Sequence, residues 1–162
     1  FNLSELVSEL GESLTPILSE KNQALTLEVP DSPIELFADQ IRMSQVISNL
    51  VTNASKYSGE QTEVTISVGA TDYEVEISIE DHGIGIGHED LPHVFGAFFR
   101  ADNEGTRAQS GTGIGLYFCR LIVDYHNGEI SAVSTLGSGT KMTIRMQREY
   151  IAEQFEKDAY AA

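Results

Sequence analysis

The sequence predicts an α+β protein: a two-layer α/β sandwich with a mixed sheet of about five strands, three helices on one of its faces, and a small N-terminal strand pair. Three observations lead there. Apolar residues recur at helical spacing in three long segments, and they alternate with period two in neighbouring segments joined by short turns. No internal repeat or low-complexity tract breaks that order. With 162 residues the chain has the length of one domain, enough to bury roughly 70% of its unfolded surface.

The elements follow in order. Leu3, Leu6, Val7, Leu10, Leu14, Ile17 and Leu18 have helical spacing, with Pro16 expected to kink or break the helix. Ala24 to Val29 reads as a strand, Pro30 to Pro33 as a turn, and Ile34 to Ala38 as a second short strand. Asp39 is a capping residue for a helix whose buried stripe is Met43, Val46, Ile47, Leu50, Val51 and Ala54, ending near Ser58-Gly59. Val64, Ile66 and Val68, then Val75, Ile77 and Ile79, make a hairpin turning at Ala70 to Asp72. After a glycine-rich run, Glu89 to Phe99 predicts a short helix and an aromatic turn, and polar Arg100 to Ser110 a mobile loop. A helix from Gly113–Gly115 to His126 closes at Asn127-Gly128. Strands Glu129 to Thr135 and Thr140 to Gln147 then flank a turn at 136–139. The domain is placed at 1–148, and 149–162 reads as a charged helical tail or linker.

Charge narrows the partners. Lys plus Arg total 10 against 25 Asp plus Glu, a net charge of −15, which argues against nucleic acid or an anionic membrane surface. No run of 18 apolar residues is present, so no membrane span is expected. The single cysteine, Cys119, rules out an internal disulfide framework, fits a reducing cytoplasm and is expected in the core. The chain starts at Phe1 without a signal-peptide pattern and reads as a piece of a longer protein.

Asn49 and Asn53 sit mid-helix, where each Asn costs about 0.6 kcal/mol relative to Ala. With Lys56 they fall at i, i+4 and i+7 on one face, aligning two amide oxygens and an ammonium. Amide oxygen suits a hard cation such as Mg²⁺, and an ammonium suits phosphate. Solvated surface asparagines are the plain alternative. Three glycine clusters follow: Asp81-His82-Gly83-Ile84-Gly85-Ile86-Gly87, Gly111-Thr112-Gly113-Ile114-Gly115-Leu116 and Gly137-Ser138-Gly139-Thr140. The second opens a helix, so its backbone N–H groups would face an anion; the third reads first as a hairpin turn. P-loop, dinucleotide and eukaryotic-kinase motifs are missing.

Together these residues resemble the catalytic ATP-binding domain of two-component sensor histidine kinases, in the GHKL superfamily that also holds gyrase, the mismatch-repair ATPases and a heat-shock chaperone. Asn49 to Ser58 looks like the N box, Asp81 to Ile86 the G1 box, Val94 to Arg100 the F box, Ser110 to Leu116 the G2 box, and Gly137 to Thr140 the closing glycine turn. The motifs fall in family order over residues 3 to about 147.

The resemblance implies a Bergerat-type fold that binds ATP and Mg²⁺, with an ATP lid at about 98–113. Asp81 would accept the adenine amino hydrogen, and Gly83 and Gly85 would leave room for the purine. Ile86, Val94 and Leu116 would wall the pocket, and Tyr57 would pack on the ring or in the core. Asn53 would be the metal ligand with Asn49 beside it. Lys56 would neutralise phosphate, and Gly111, Thr112, Gly113, Gly115 and Thr140 would line the nucleotide's path. Asn49, Lys56 and Arg100 are the expected catalytic residues, with Arg107 a second lid cation near the γ-phosphate.

Asn49 stands where hydrolysing members, and anti-sigma-type serine kinases, carry a Glu base. A histidine acceptor brings its own nitrogen nucleophile and needs none. The expected activity is therefore transfer of the γ-phosphoryl group to a histidine on a separate dimerisation hairpin of the parent protein, with a response regulator downstream. The fragment is expected to be a cytoplasmic monomer, the parent a homodimer. A degenerate ATP-binding scaffold and an anti-sigma-type serine kinase are the alternatives. His88-Glu89-Asp90 superficially resembles a phosphoacceptor motif but lacks long flanking helices and reads as surface. His82, His93 and His126 show no metal-ligand spacing and read as structural or solvated.

Overall fold

The computed structural model describes residues 1–101, 104–107, 109 and 111–147. In chain order they form α1 (Leu3–Ser19), β1 (Ala24–Glu28), α2 (Gln40–Tyr57), β2 (Glu63–Ala70), β3 (Glu74–Asp81), a 3₁₀ turn (Leu91–His93), α3 (Glu104–Arg107), α4 (Gly115–Tyr125), β4 (Glu129–Thr135) and β5 (Gly139–Gln147). The five strands make one sheet in the order β1-β2-β3-β5-β4. β1 runs parallel to β2, and the remaining pairs are antiparallel.

Alternation of side chains fixes which face is buried. The register pairs Ile66 with Ile79 and Val68 with Ile77, then Ile79 with Met142 and Ile77 with Ile144. All of these lie on one side and are buried. Against that side pack the stripe of α2 (Met43, Val46, Ile47, Leu50, Val51, Ala54), the α1 residues Leu3, Leu6, Val7, Leu14 and Leu18, and Cys119 and Val123 of α4. The opposite face carries ion pairs such as Arg145–Glu76 at 2.9 Å and Lys141–Glu80 at 3.7 Å, exposed contacts of small energetic weight.

Two helix ends obey the sequence signals. The Asp39 side chain accepts from Arg42 N at 3.0 Å to start α2. After α4, Asn127 takes φ 54° and the Gly128 N–H returns to Val123 O at 3.0 Å.

Other expectations are corrected. The N-terminal strand pair does not form: β1 is an edge strand of the main sheet, and 34–38 makes only a single bridge, Glu35 with Asn2. Leu36 and Ile34 are drawn instead to backbone partners at Phe1 and Leu3, where their side chains are buried. α1 does not break at Pro16 but runs on to Ser19, the proline forgoing the one bond that its missing N–H would have made to Glu12 O. Glu89 to Phe99 supplies only the 3₁₀ turn, and one turn of helix, α3, appears inside the polar loop. The expected tail, 149–162, lies outside the described residues.

Candidate functional site

A cleft of about 310 Å³ opens between α2, the N-terminus of α4, the ends of β3 and β5, and the loop residues Phe99, Arg100, Ala101, Thr106, Gly111, Thr112 and Gly113. Its floor follows from strand periodicity: Ile79 precedes Asp81 by two on β3, and Met142 follows Thr140 by two on β5, and all four line the cavity. Asp81 and Thr140 are register partners.

Asp81 is 9% exposed. Its Oδ1 accepts from Gly83 N at 2.8 Å and from Ser58 Oγ at 3.5 Å. Burial raises its pKa above the ordinary carboxylate value, outweighing the opposing hydrogen bonds from Gly83, Thr140 and Ser58 and the nearby His82 charge. The loop after it is pinned at both ends. Ile84 N donates to Tyr57 O at 3.0 Å, and Ile86 N donates to Ser134 Oγ at 2.8 Å. Ser134 Oγ in turn donates to Gly139 O at 2.7 Å and lies 2.8 Å from Thr140 Oγ1, tying the hairpin turn to this loop.

Two glycines are forced by geometry. Gly85 has φ 68°, and a Cβ there would lie 2.1 Å from Thr135 O. Gly113 has φ 71° with a Cβ position 2.7 Å from Phe99 O, so the two ends of the loop over the cleft touch there.

On α2, Asn49, Asn53, Lys56 and Tyr57 all line the cleft. Asn49 Nδ2 donates to Cys119 Sγ at 3.1 Å, and its Oδ1 lies 2.8 Å from where a Gly115 Cβ would stand, so any side chain there would strike it. Cys119 is buried, and burial pushes its thiol up to about 11. Lys56 Nζ sits 5.0 Å from the Tyr57 ring centroid and 2.8 Å from the Cβ position of Gly111, a cation–π contact that also meets the loop. α4 begins behind Ile114, which provides no side-chain cap. The Arg100 guanidinium donates to three backbone carbonyls of the same loop: Gly111 at 2.8 Å, Thr106 at 2.7 Å and Gln109 at 2.6 Å.

Of the expected site residues, the cleft thus gathers Asn49, Asn53, Lys56, Tyr57, Asp81, Gly85, Ile86, Val94, Arg100, Gly111, Thr112, Gly113, Gly115, Leu116 and Thr140. Gly83 does not line it; its constraint is the α2 end, since a Cβ there would lie 2.3 Å from Tyr57 O. Arg107 closes α3, and its side chain lies outside the described part of the structure. The cleft also includes Leu50, Ala54, Ile79, Ile84, Phe99, Ala101, Thr106 and Met142, to which no site role had been given. The signal that would have found four of them is periodicity: Ile79 and Met142 stand two residues from Asp81 and Thr140, and Leu50 and Ala54 neighbour Asn49 and Asn53. His88 is exposed, as expected. His126 is structural: its Nε2 accepts from Asp39 N at 3.1 Å and its Nδ1 lies 2.7 Å from Ile122 O.

The donor set fits a hard cation only in part. No cluster of three His, Cys, Asp or Glu residues occurs among the described residues. The amide oxygens of Asn49 and Asn53 suit Mg²⁺, whose further ligands would be phosphate oxygens and water.

Fold and cleft together define a class: a two-layer α/β sandwich with a cleft where α2 and the start of α4 meet the ends of the central strands. The family model for histidine kinase-, DNA gyrase B- and HSP90-like ATPases matches residues 38–150, and the chain belongs to that family. The sensor histidine kinase GacS of Pseudomonas protegens is 34% identical over 151 residues, 90% of this chain and 16% of that protein. The sensor protein SrrB of Staphylococcus aureus is 39% identical over 110 residues, 68% of this chain and 19% of that one. The chain therefore spans less than a fifth of either relative. The nucleotide-free catalytic domain of histidine kinase ThkA superposes with a TM-score of 0.80 at 28% identity, covering 91% of this chain and 95% of that one. The expected likeness to histidine-kinase catalytic domains is borne out. No helix among the described residues is long and apolar enough to cross a membrane.

Proposed function

We propose that the cleft binds Mg·ATP and that the domain passes the γ-phosphoryl group to a histidine on a separate dimerisation hairpin of its parent protein. One observation carries this. A single cavity holds a buried carboxylate, Asp81, beside the end of α2, while the two asparagine amides stand roughly 6 and 12 Å earlier along the same helix at about 1.5 Å per residue. That length suits a nucleoside at one end and phosphates at the other.

At the Asp81 end, the carboxylate accepts the adenine amino hydrogen, and Ile79, Ile86, Val94, Leu116 and Met142 supply apolar walls. Tyr57 packs beside the ring. Gly85 lets the backbone turn without filling the purine's space, and Gly83 sets the loop from behind. Thr140 borders the adenine beside Asp81. At the other end, Gly111, Thr112, Gly113 and Gly115 bring backbone toward the phosphates, and the uncapped N-terminus of α4 favours negative charge. Lys56 adds a positive charge. Asn53, with Asn49 beside it, would hold Mg²⁺, and the bound ion would supply positive charge to neutralise the phosphates. Cys119 holds the NH₂ of Asn49, turning its oxygen to the site.

In transfer, the acceptor imidazole nitrogen donates its lone pair to the γ-phosphorus. The bond to the bridging oxygen breaks, and ADP leaves with that electron pair. No carboxylate base is needed, which agrees with Asn at position 49. Arg100 holds the loop through three carbonyls, and exchanging one of these for a γ-phosphate oxygen would couple loop order to transfer; Arg107 is the second cation of that loop. The parent signals as a homodimer, with this domain in the cytoplasm and the parent either soluble or membrane-anchored, to a response regulator.

The test is radiolabel from γ-labelled ATP. Label should reach the histidine hairpin of the parent when it is added in trans, and none should remain on this chain alone. Label on the isolated chain, or none on the hairpin, would overturn the reading.

A further inference from the structure

Gln23 lies outside the cleft, before the first strand, and no role above involves it. It is 5% exposed, and its side chain reaches from the α1–β1 connection to the last turn of α2. Nε2 donates to Ser55 O at 3.1 Å, Ser58 O at 3.3 Å and Gly59 O at 2.8 Å, while Oε1 accepts from Ser55 Oγ. Lys21 Nζ adds contacts to Ser55 O at 3.0 Å and Lys56 O at 3.4 Å.

A helix end leaves its last carbonyls without helical partners. α2 ends in an extended Ser58, φ −100° and ψ 152°, rather than a glycine cap. Two side chains from a distant part of the sequence do the capping instead, and Lys21 brings the charge sign that a helix C-terminus prefers.

What the capped turn carries gives this arrangement its meaning. Lys56 and Tyr57 line the cleft, Ser58 Oγ reaches Asp81 Oδ1, and Tyr57 O holds Ile84 N. Both of these hydrogen bonds, Ser58 to Asp81 and Ile84 to Tyr57, start in the turn that Gln23 holds. Asn49 and Asn53 lie on earlier turns, where none of Gln23's hydrogen bonds reaches.

We propose that Gln23 is a positioning residue for the adenine end of the site, acting through Ser58 and Tyr57 on Asp81, so that it sets base selectivity without touching the nucleotide. This rests on the nucleotide reading above. Gln23→Met keeps the volume and removes the amide; Ser55→Ala removes one bond of the network and suits a helix.

Both variants and the unaltered chain are titrated with non-hydrolysable ATP and GTP analogues, each with and without Mg²⁺. The expected result for Gln23→Met is at least a roughly fivefold loss for the ATP analogue, little change for the GTP analogue, and an unaltered gain from Mg²⁺. Ser55→Ala should move the same way by less, and decides alone if Gln23→Met does not fold. Unchanged ATP affinity overturns the proposal, as does a parallel loss for both analogues, which marks a purely structural role. If the unaltered chain binds neither analogue, the nucleotide reading fails and takes this inference with it.

Discussion

Asp81→Asn separates recognition from folding. The carboxylate oxygen Oδ1 accepts from Gly83 N at 2.8 Å and from Ser58 at 3.5 Å, and the register places Thr140 opposite. Asn keeps one acceptor oxygen for Gly83 but turns an NH₂ toward the base or toward Thr140. Facing an adenine amino group, donor meets donor, and one buried polar group is left unmatched, a loss of about 1–3 kcal/mol or about 5- to 150-fold in affinity. Stability should move differently. A carboxyl whose folded-state pKa is raised binds its proton more tightly when folded, so its ionised form weakens the fold above that pKa, and the penalty fades as pH falls through it. The neutral amide never bears that penalty. At pH 7 the variant should therefore melt at or above the temperature of the unaltered chain while losing ATP-analogue affinity, and the advantage should shrink as the buffer is taken below the raised pKa. Calorimetric titration beside scanning calorimetry reads both quantities. Unchanged affinity, or affinity and melting temperature falling together, would refute the adenine assignment.

Three further outcomes follow from the same geometry. Asn53→Ala should abolish the gain in nucleotide affinity from Mg²⁺ while leaving metal-free binding within about twofold; a preserved Mg²⁺ effect in titrations would move the metal elsewhere. Gly85→Ala adds a Cβ that would lie 2.1 Å from Thr135 O at φ 68°, and it should lower stability by about 2–4 kcal/mol in urea unfolding, a full-stability variant arguing against this loop path. Cys119 is buried with its thiol raised to about 11, so it should resist iodoacetamide at pH 8 and react once the chain is unfolded. For the same reason its contribution to stability is intact at neutral pH and is lost as pH rises from about 9 toward 11; alkylation of the native protein at the rate of a free thiol would contradict both.

The sequence carried local signals well and tertiary ones poorly. Asp39 before an apolar stripe announced the start of α2, and alternation in 64–68 and 75–79 announced a hairpin with one buried face. Asp81 ends β3 and Thr140 begins β5 on the inner face, and that they meet was not read from the sequence, because it depends on the pairing of β3 with β5. Segment 34–38 looked like a strand because its apolar residues alternate, yet whether such a run pairs depends on which edge is free, and here it meets only Asn2 and its neighbours. Ser134 and Gln23 were illegible for a related reason. Their partners lie in other elements, Ser134 at Ile86 and Gln23 at Ser55 to Gly59, and a single polar residue, in a strand or in the connection before one, gives no hint of what it will face. Gly83 was legible as constrained but for another cause: it yields to the Tyr57 carbonyl. Arg100 was visible as a cation at the loop's start, whereas its hold on three carbonyls depends on the loop's folded path.

The central claim is that this cleft holds Mg·ATP. Titrating the chain with a non-hydrolysable ATP analogue in a calorimeter, with and without Mg²⁺ and against the GTP counterpart, tests it most directly. The account predicts saturable one-to-one binding that strengthens with Mg²⁺ and favours adenine. No heat of binding, or equal binding of both bases, would contradict it.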